Sequence, residues 1–235
     1  MGIKERQERD REAVRRAILD AARDLFVAEG YQNVSIRKIA ERIEYSPAAI
    51  YSYFPSKDDI FYSLAEEGFR LLGTPREASH AAEIAALPPI ERLRTIFWHF
   101  YEFSREHPQY FALMFVDRSV PRISREWERF AFAREMKESV IQEIAACIAA
   151  GALPPTVDPA AAMRAVSVGL VGVAVMRLSD RLAPGEDAEK MALNVLDVTL
   201  AGLKSGVHLR PISIEKCPLS PHAEQTELHS VRSRR

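Results

Sequence analysis

The chain has only two cysteines in 235 residues, Cys147 and Cys217, far apart and without a partner motif. That scarcity excludes a disulfide framework and a thiolate metal cluster, and it makes a reducing cytoplasm the default compartment. Cys147 lies in an apolar helical run and reads as a small buried hydrophobe. The six histidines (80, 99, 107, 208, 222 and 229) lack metal-binding spacing, so no metal ligand is expected. No nucleophile–base pair stands out, and Gly169-Leu-Val-Gly172 follows no strand, which argues against a phosphate loop. Catalytic residues and cofactors are therefore expected to be absent, and the chain is read as a non-enzyme. The longest uncharged apolar stretch, Ala165 to Met176, is shorter than the roughly 20 residues a bilayer requires, so no membrane partner is expected. Met1 to Arg16 is charged where a secretory signal needs an apolar core. A charge surplus is missing too: 32 Lys and Arg face 33 Asp and Glu, a formal net charge of -1. Strand-like alternation is also missing.

What remains is helical periodicity in a chain that is 47% hydrophobic, enough to bury a sizeable core. Val14, Ile18, Ala22 and Leu25 recur on one face of a first helix that Gly30 stops. Ser35 is an N-cap for a short second helix carrying Ile36, Ile39, Ala40 and Ile43. Ser46 and Pro47 open a third, which Pro55 ends near Phe54. Ser56-Lys57-Asp58-Asp59 caps a longer fourth, closed by Gly73-Thr74-Pro75. Further helices are expected from Pro88 to Glu106, Gln109 to Asp117, Arg122 to Ala150, Asp158 to Leu182 and Glu186 to Ser205. The pattern dissolves after Val207 into a proline-containing tail, expected to be disordered.

Two short helices separated by Glu44 to Ser46 have helix-turn-helix spacing. The runs Val34-Ser35-Ile36-Arg37-Lys38-Ile39-Ala40-Glu41-Arg42-Ile43 and Ser46-Pro47-Ala48-Ala49-Ile50-Tyr51-Ser52-Tyr53-Phe54-Pro55-Ser56-Lys57 resemble the N-terminal domain of TetR-family repressors. Upstream, Ile18, Ala21-Ala22, Leu25-Phe26, Gly30-Tyr31 and Val34 continue the likeness, which spans about residues 12 to 64. One departure is Glu44, where the family usually has a glycine in a left-handed turn.

The resemblance implies an all-α protein with an N-terminal helix-turn-helix DNA-binding domain and a larger helical ligand-binding and dimerisation domain. The expected division is an arm and DNA-binding domain over 1–73, a regulatory domain over 74–207, and the tail over 208–235. It also implies phosphate contacts by Tyr51 and by Lys57. From the residues themselves, Ser35 frees amides at a helix start, and Arg37 is a base-edge or groove candidate. Ala48 and Ala49 suit thymine methyls, while Ser46 and Ser52 can bond either way. Pro47 and Tyr53 complete the candidate DNA surface. No Lys or Arg lies between Glu44 and Phe54, so shape and flanking contacts should matter. Met1 to Arg16 is either a solvated helical extension or a backbone or minor-groove contact.

In the larger domain, Leu193, Leu196, Leu200, Leu203 and Val207 form a coiled-coil-like seam, and Met191, Val195, Val198 and Gly202 a second apolar face. Val166, Leu170 and Val173 belong to the preceding apolar helix. The resemblance implies a four-helix homodimer interface there, with Val166, Leu170, Val173, Leu193, Leu196, Leu200 and Leu203 as its candidates. The middle helices are rich in aromatics. Phe97, Phe100, Tyr101, Tyr110, Met114, Trp127 and Phe130 are the candidate wall of the ligand pocket that the resemblance implies, suited to a hydrophobic effector. His99, Tyr101 and Arg105 are possible polar anchors.

The reading is a ligand-responsive, homodimeric, cytoplasmic transcriptional repressor. Its expected partners are a palindromic double-stranded DNA operator and a small hydrophobic effector. The alternatives are a helical protein-interaction adaptor without DNA binding, and an all-α enzyme.

Overall fold

A computed structural model of the chain describes residues 2–73, 78–123 and 126–210. The expected tail from 211 onward and Cys217 lie outside the described residues. Among those described, all regular structure is helical. Helix α1 runs Ile3–Glu29 and stops at Gly30, whose φ of 80° suits the residue without a Cβ. A single 3-10 turn, Tyr31–Asn33, leads to α2, Ile36–Arg42, and α3 follows at Pro47–Tyr51. The caps are those the sequence announces. Ser35 Oγ accepts from the Lys38 amide and Ser46 Oγ from the Ala49 amide. Ser56 Oγ accepts from the Asp59 amide as α4, Lys57–Gly73, begins. Ile18, Ala22, Phe26, Ile39, Ala40, Ile50, Phe54 and Leu64 are buried together, so α1 to α4 share one core.

The rest comprises α5 (Ala78–Ala86), α6 (Pro89–Glu106), α7 (Pro108–Phe111), α8 (Ala131–Ala149), α9 (Pro159–Leu178) and α10 (Ala188–Lys204). Helices α9 and α10 pack as a pair, with α9 also against α6 and α8, and α4 reaches α6 and α8. Cys147 is fully buried, as its apolar setting predicts.

Several boundaries differ from the sequence reading. The helix expected from Arg122 starts only at Ala131, after a 3-10 turn at Trp127–Arg129. That turn is drawn onto α4, where Arg129 pairs with Asp59 at 2.7 Å and stacks 4.6 Å from the Tyr62 ring centroid. Helix α9 ends at Leu178, short of the expected Leu182. Asp180, at φ 51°, turns the chain, and the Arg181 amide bonds the Met176 carbonyl at 2.9 Å. The aromatic helix after His107 passes into a π turn, Ala112–Val116. Helix α5, alanine-rich and without an apolar stripe to announce it, escaped the sequence reading. The apolar stretch Ala165 to Met176, too short for a bilayer by itself, belongs to a 20-residue helix, α9, long and apolar enough by length and composition. Here its Val166, Leu170 and Ala174 are buried in the protein's own core.

Glu44 keeps the left-handed turn that glycine would normally take, at φ 60°. Its amide bonds the Glu41 carbonyl at 3.3 Å, and the Tyr45 amide bonds Ala40 at 2.9 Å, which together make a Schellman ending to α2. A side chain at positive φ costs about 1–2 kcal/mol, and glycine returns part of that as unfolded-state entropy. Glu44→Gly should therefore stabilise the protein by about 0.5–1 kcal/mol, read as a higher urea midpoint; a lower midpoint would contradict the strain.

Candidate nucleic-acid interface

The helix-turn-helix is held in place by a half-buried cation. Lys57 Nζ donates to the carbonyls of Tyr31 at 2.8 Å and Val34 at 2.9 Å, and stands 4.0 Å from the Tyr31 ring centroid. Burial pushes its pKa down. The Tyr31 hydroxyl donates to the Asp58 carboxylate, and burial with that hydrogen bond pushes the phenol far above its ordinary pKa. The start of α4 is thus tied to the link between α1 and α2. The motif resemblance implies that Lys57 clamps phosphate; the geometry shows two of its three ammonium donors already spent inside the protein.

Above this frame lies a continuous exposed face. Ser35, Arg37, Ser46, Pro47, Ala48, Tyr51 and Ser52 are exposed, while Ala49, Tyr53 and Lys57 are half-buried. Arg37 pairs at 2.7 Å with Glu41 one turn on, an exposed contact that a phosphate or base edge can replace at little cost. Ser35 and Ser46 use an oxygen lone pair as caps, which leaves their hydroxyl hydrogens to give. Ser52 instead donates to the Ala49 carbonyl at 2.6 Å. The structure adds Tyr45, exposed just before α3, which sequence reasoning missed. Of the charged arm that the sequence singled out, Arg11 lies 5.8 Å from the Tyr53 ring centroid and Arg15 5.2 Å from that of Phe54.

Of the effector candidates, Phe97, Tyr101, Tyr110, Met114 and Phe130 are buried in the protein's hydrophobic core, and Phe100 is half-buried against it. The side chain of Trp127 lies outside the described residues. Phe130 stacks against Tyr62 and Phe69 of α4. Tyr110 and Met114 press on Gly68, where a Cβ would collide with the Met114 sulfur and crowd the Tyr110 ring. Phe100 packs with Phe111 and Phe115. A cleft of about 420 Å³ between α1, α4 and Arg129 includes Phe130 alone of the seven. Of the possible anchors, Arg105 pairs with Glu189 at 2.7 Å and His99 lies 3.7 Å from Glu102. Tyr101 is 1% exposed, yet its hydroxyl has no hydrogen-bond partner among the described residues. Burial raises its pKa.

The dimer candidates need correction. Val166, Leu170, Val173, Leu196, Leu200 and Leu203 are buried within the protomer and Leu193 is partly buried, because α9 and α10 spend that seam on each other and on the core. The apolar residues left outward are Val168 (58% exposed), Met176 and Val198 (73%), flanked by Met191, Val195 and Gly202.

A short capped helix set across a second, beneath an exposed face of serines, tyrosines and an arginine, defines a helix-turn-helix DNA-binding protein. The comparisons carry this further. Residues 18–64 match the family model of bacterial regulatory proteins of the tetR family, and residues 93–199 match that of the tetracyclin repressor-like C-terminal domain. The chain belongs to the TetR family: it is a DNA-binding transcription regulator, not an enzyme. It is 42% identical over 55 residues to the HTH-type transcriptional repressor Rv1474c of Mycobacterium tuberculosis, covering 23% of this chain and 29% of that protein. It is 27% identical over 190 residues to the repressor KstR of Rhodococcus jostii, covering 77% of this chain and 80% of KstR. The crystal structure of the TetR-family regulator PfmR from Thermus thermophilus superposes with a TM-score of 0.61 at 26% identity, over 79% of this chain and 98% of that one.

Because Lys57 satisfies two backbone carbonyls, its loss should be felt first as instability. Lys57→Ala should lower stability by about 2–3 kcal/mol, the range for hydrogen bonds to a charged group left unmade. Chemical denaturation would show it, and an unchanged midpoint would reduce Lys57 to a surface cation.

Proposed function

We propose that the protein is a homodimeric repressor of the bacterial cytoplasm that binds a palindromic operator and is released by a small hydrophobic effector. In this reading residues 1–73 form the DNA-binding unit and 74–207 the regulatory unit. The N-terminal end of α3, with Ser46, Pro47, Ala48 and Ala49, enters the major groove. Ser35, Arg37, Tyr51, Ser52 and Tyr53 hold the flanking backbone, and Lys57 supports them from beneath. The observation that carries the reading is the pairing of two unpartnered surfaces: the polar face of the helix-turn-helix and the outward apolar face of α9 and α10. One helix-turn-helix reads too few base pairs alone, and a second copy docked on Val168, Met176 and Val198 supplies the other half-site. The effector reading rests on the aromatic core between α4, α6 and α7 and on Tyr101, whose buried hydroxyl has no hydrogen-bond partner among the described residues.

The test is titration of the full chain onto DNA from upstream of its own gene at several salt concentrations. Specific affinity that falls with salt is expected, and binding absent at every salt would favour the adaptor alternative. Val198→Asp places a charge in the proposed interface and should convert dimer to monomer by sedimentation, weakening operator binding at least tenfold. A dimer that persists would move the interface elsewhere. Tyr101→Phe removes a buried hydroxyl that lacks a partner among the described residues, so the protein without effector should gain about 1 kcal/mol in stability; a loss would mean that the hydroxyl is already satisfied.

A further inference from the structure

The N-terminal part of α1 overhangs the domain to which it belongs. Residues 4–13 are exposed, whereas Ile18, Ala22 and Phe26 of the same helix are buried. Seven residues make two helical turns, so Lys4, Arg11 and Ile18 lie in one line, and Arg15 stands one turn beyond Arg11. The stripe that is apolar over the core therefore becomes Lys4, Arg11 and Arg15 beyond it, with Glu8 as its single acid. The remaining faces carry Arg6 and Arg9 against Glu5, Asp10 and Glu12. Charge is sorted around a segment whose total is almost neutral: about two positive on one face, about one negative on the others.

Two ring contacts fix where the cationic face looks. Arg11 lies over Tyr53 and Arg15 over Phe54, the residues that follow the recognition helix and its exposed Tyr51. The stripe thus leaves the domain at the C-terminal edge of the recognition segment. A helix is about 10–12 Å across and a B-DNA minor groove about 6 Å wide, so this helix cannot enter that groove as a flexible arm can. From Arg11 to Lys4 it spans about 10 Å, the length of about three base pairs.

We infer that the overhang is a phosphate rail: Lys4 and Arg11, anchored through Arg15 on Phe54, lie on the backbone of about three base pairs outside each half-site. The contact lengthens the footprint without reading sequence. It rests on the DNA-binding reading above, and its test separates the two.

A duplex selected by the wild-type protein from a random-sequence pool is used at full length and trimmed flush with its outermost selected base. Affinity is measured by anisotropy over a range of salt for the full-length wild type, Lys4→Gln/Arg11→Gln and Arg6→Gln/Arg9→Gln. The last removes equal charge from the other faces. On the long duplex the Lys4/Arg11 variant should show a log–log salt slope shallower by about 1.8 per protomer, two phosphates at about 0.9 each. The Arg6/Arg9 variant should keep the wild-type slope, and on the trimmed duplex all three should coincide. Equal slopes for wild type and Lys4/Arg11 variant on the long duplex, or equal losses in both double variants, overturn the rail while leaving DNA binding intact. A wild type that selects no duplex overturns both readings. All four substituted positions are exposed, and circular dichroism checks that the helix persists.

Discussion

Everything at the DNA-binding end depends on how Lys57 is held. Its ammonium closes the C-terminal edge of the turn after α1 by bonding the Tyr31 and Val34 carbonyls, and the Tyr31 ring lies beneath it. Tyr31 in turn ties back to Asp58, one residue along α4. Three elements that could rotate independently, α1, α2 and α4, become one frame. Helix α3 is only five residues long and cannot hold its own orientation. It takes its direction from Ile50 and Phe54 seated in that frame. The positioning of α3 thus rests on a cation that spends two of its donors on backbone carbonyls.

The same frame extends into the larger domain through α4. Arg16 of α1 bonds Glu67 of α4 at 2.5 Å and reaches the Tyr110 hydroxyl at 3.4 Å, while Arg23 stacks on the Tyr110 ring and bonds the same oxygen. Burial, ahead of the two guanidiniums that oppose it, raises the Tyr110 pKa, so this phenol stays a neutral hinge between α1 and α7. Gly68 lets Tyr110 and Met114 sit directly on the α4 backbone. A rearrangement at Tyr110 or Met114 has no slack to absorb it, because packed interiors move between discrete arrangements and do not deform smoothly. That is the physical route by which an effector among the aromatics would bias the helix-turn-helix, with α4 as the shared lever.

Local signals made much of this legible. Ser35, Ser46, Asp158 and Asp187 cap helices as their chemistry requires, and Gly30 ends α1 where a positive φ is needed. The exposure of Ser35, Arg37, Ser46, Pro47, Ala48, Tyr51 and Ser52 was also readable, because short helices with capping serines leave few ways to turn. What failed were choices between equivalent apolar faces. Leu196, Leu200 and Leu203 follow a seam period whether the partner is another chain or α9 of the same one. Periodicity records that a face is buried and says nothing about what buries it. The aromatics are similar: Phe97, Tyr110 and Phe130 are all buried, and sequence spacing alone does not say which neighbours each one meets. The late start of α8 was hidden because Arg129 is held by Asp59 and Tyr62, contacts from far along the chain.

The near-zero charge now has a structural reason. Residues 1–57 hold eleven Lys and Arg against nine acids, and several of those cations are occupied within the fold. Arg16 and Arg23 bind Asp20, Lys38 binds Glu29, and Lys57 binds backbone carbonyls. Such groups add little counterion release, the sequence-independent part of DNA affinity. A larger share of the proposed operator affinity must then come from neutral donors, shape fit and the simultaneous seating of two half-sites. Those terms depend on geometry, whereas a massed basic patch holds DNA at almost any orientation. An effector can change affinity only through interactions that differ between its two conformations. A regulator that binds weakly by charge and strongly by fit therefore leaves more of its affinity open to control, and in the proposed reading the inward-facing arginines and Lys57 would serve that end by stiffening the frame that an effector moves.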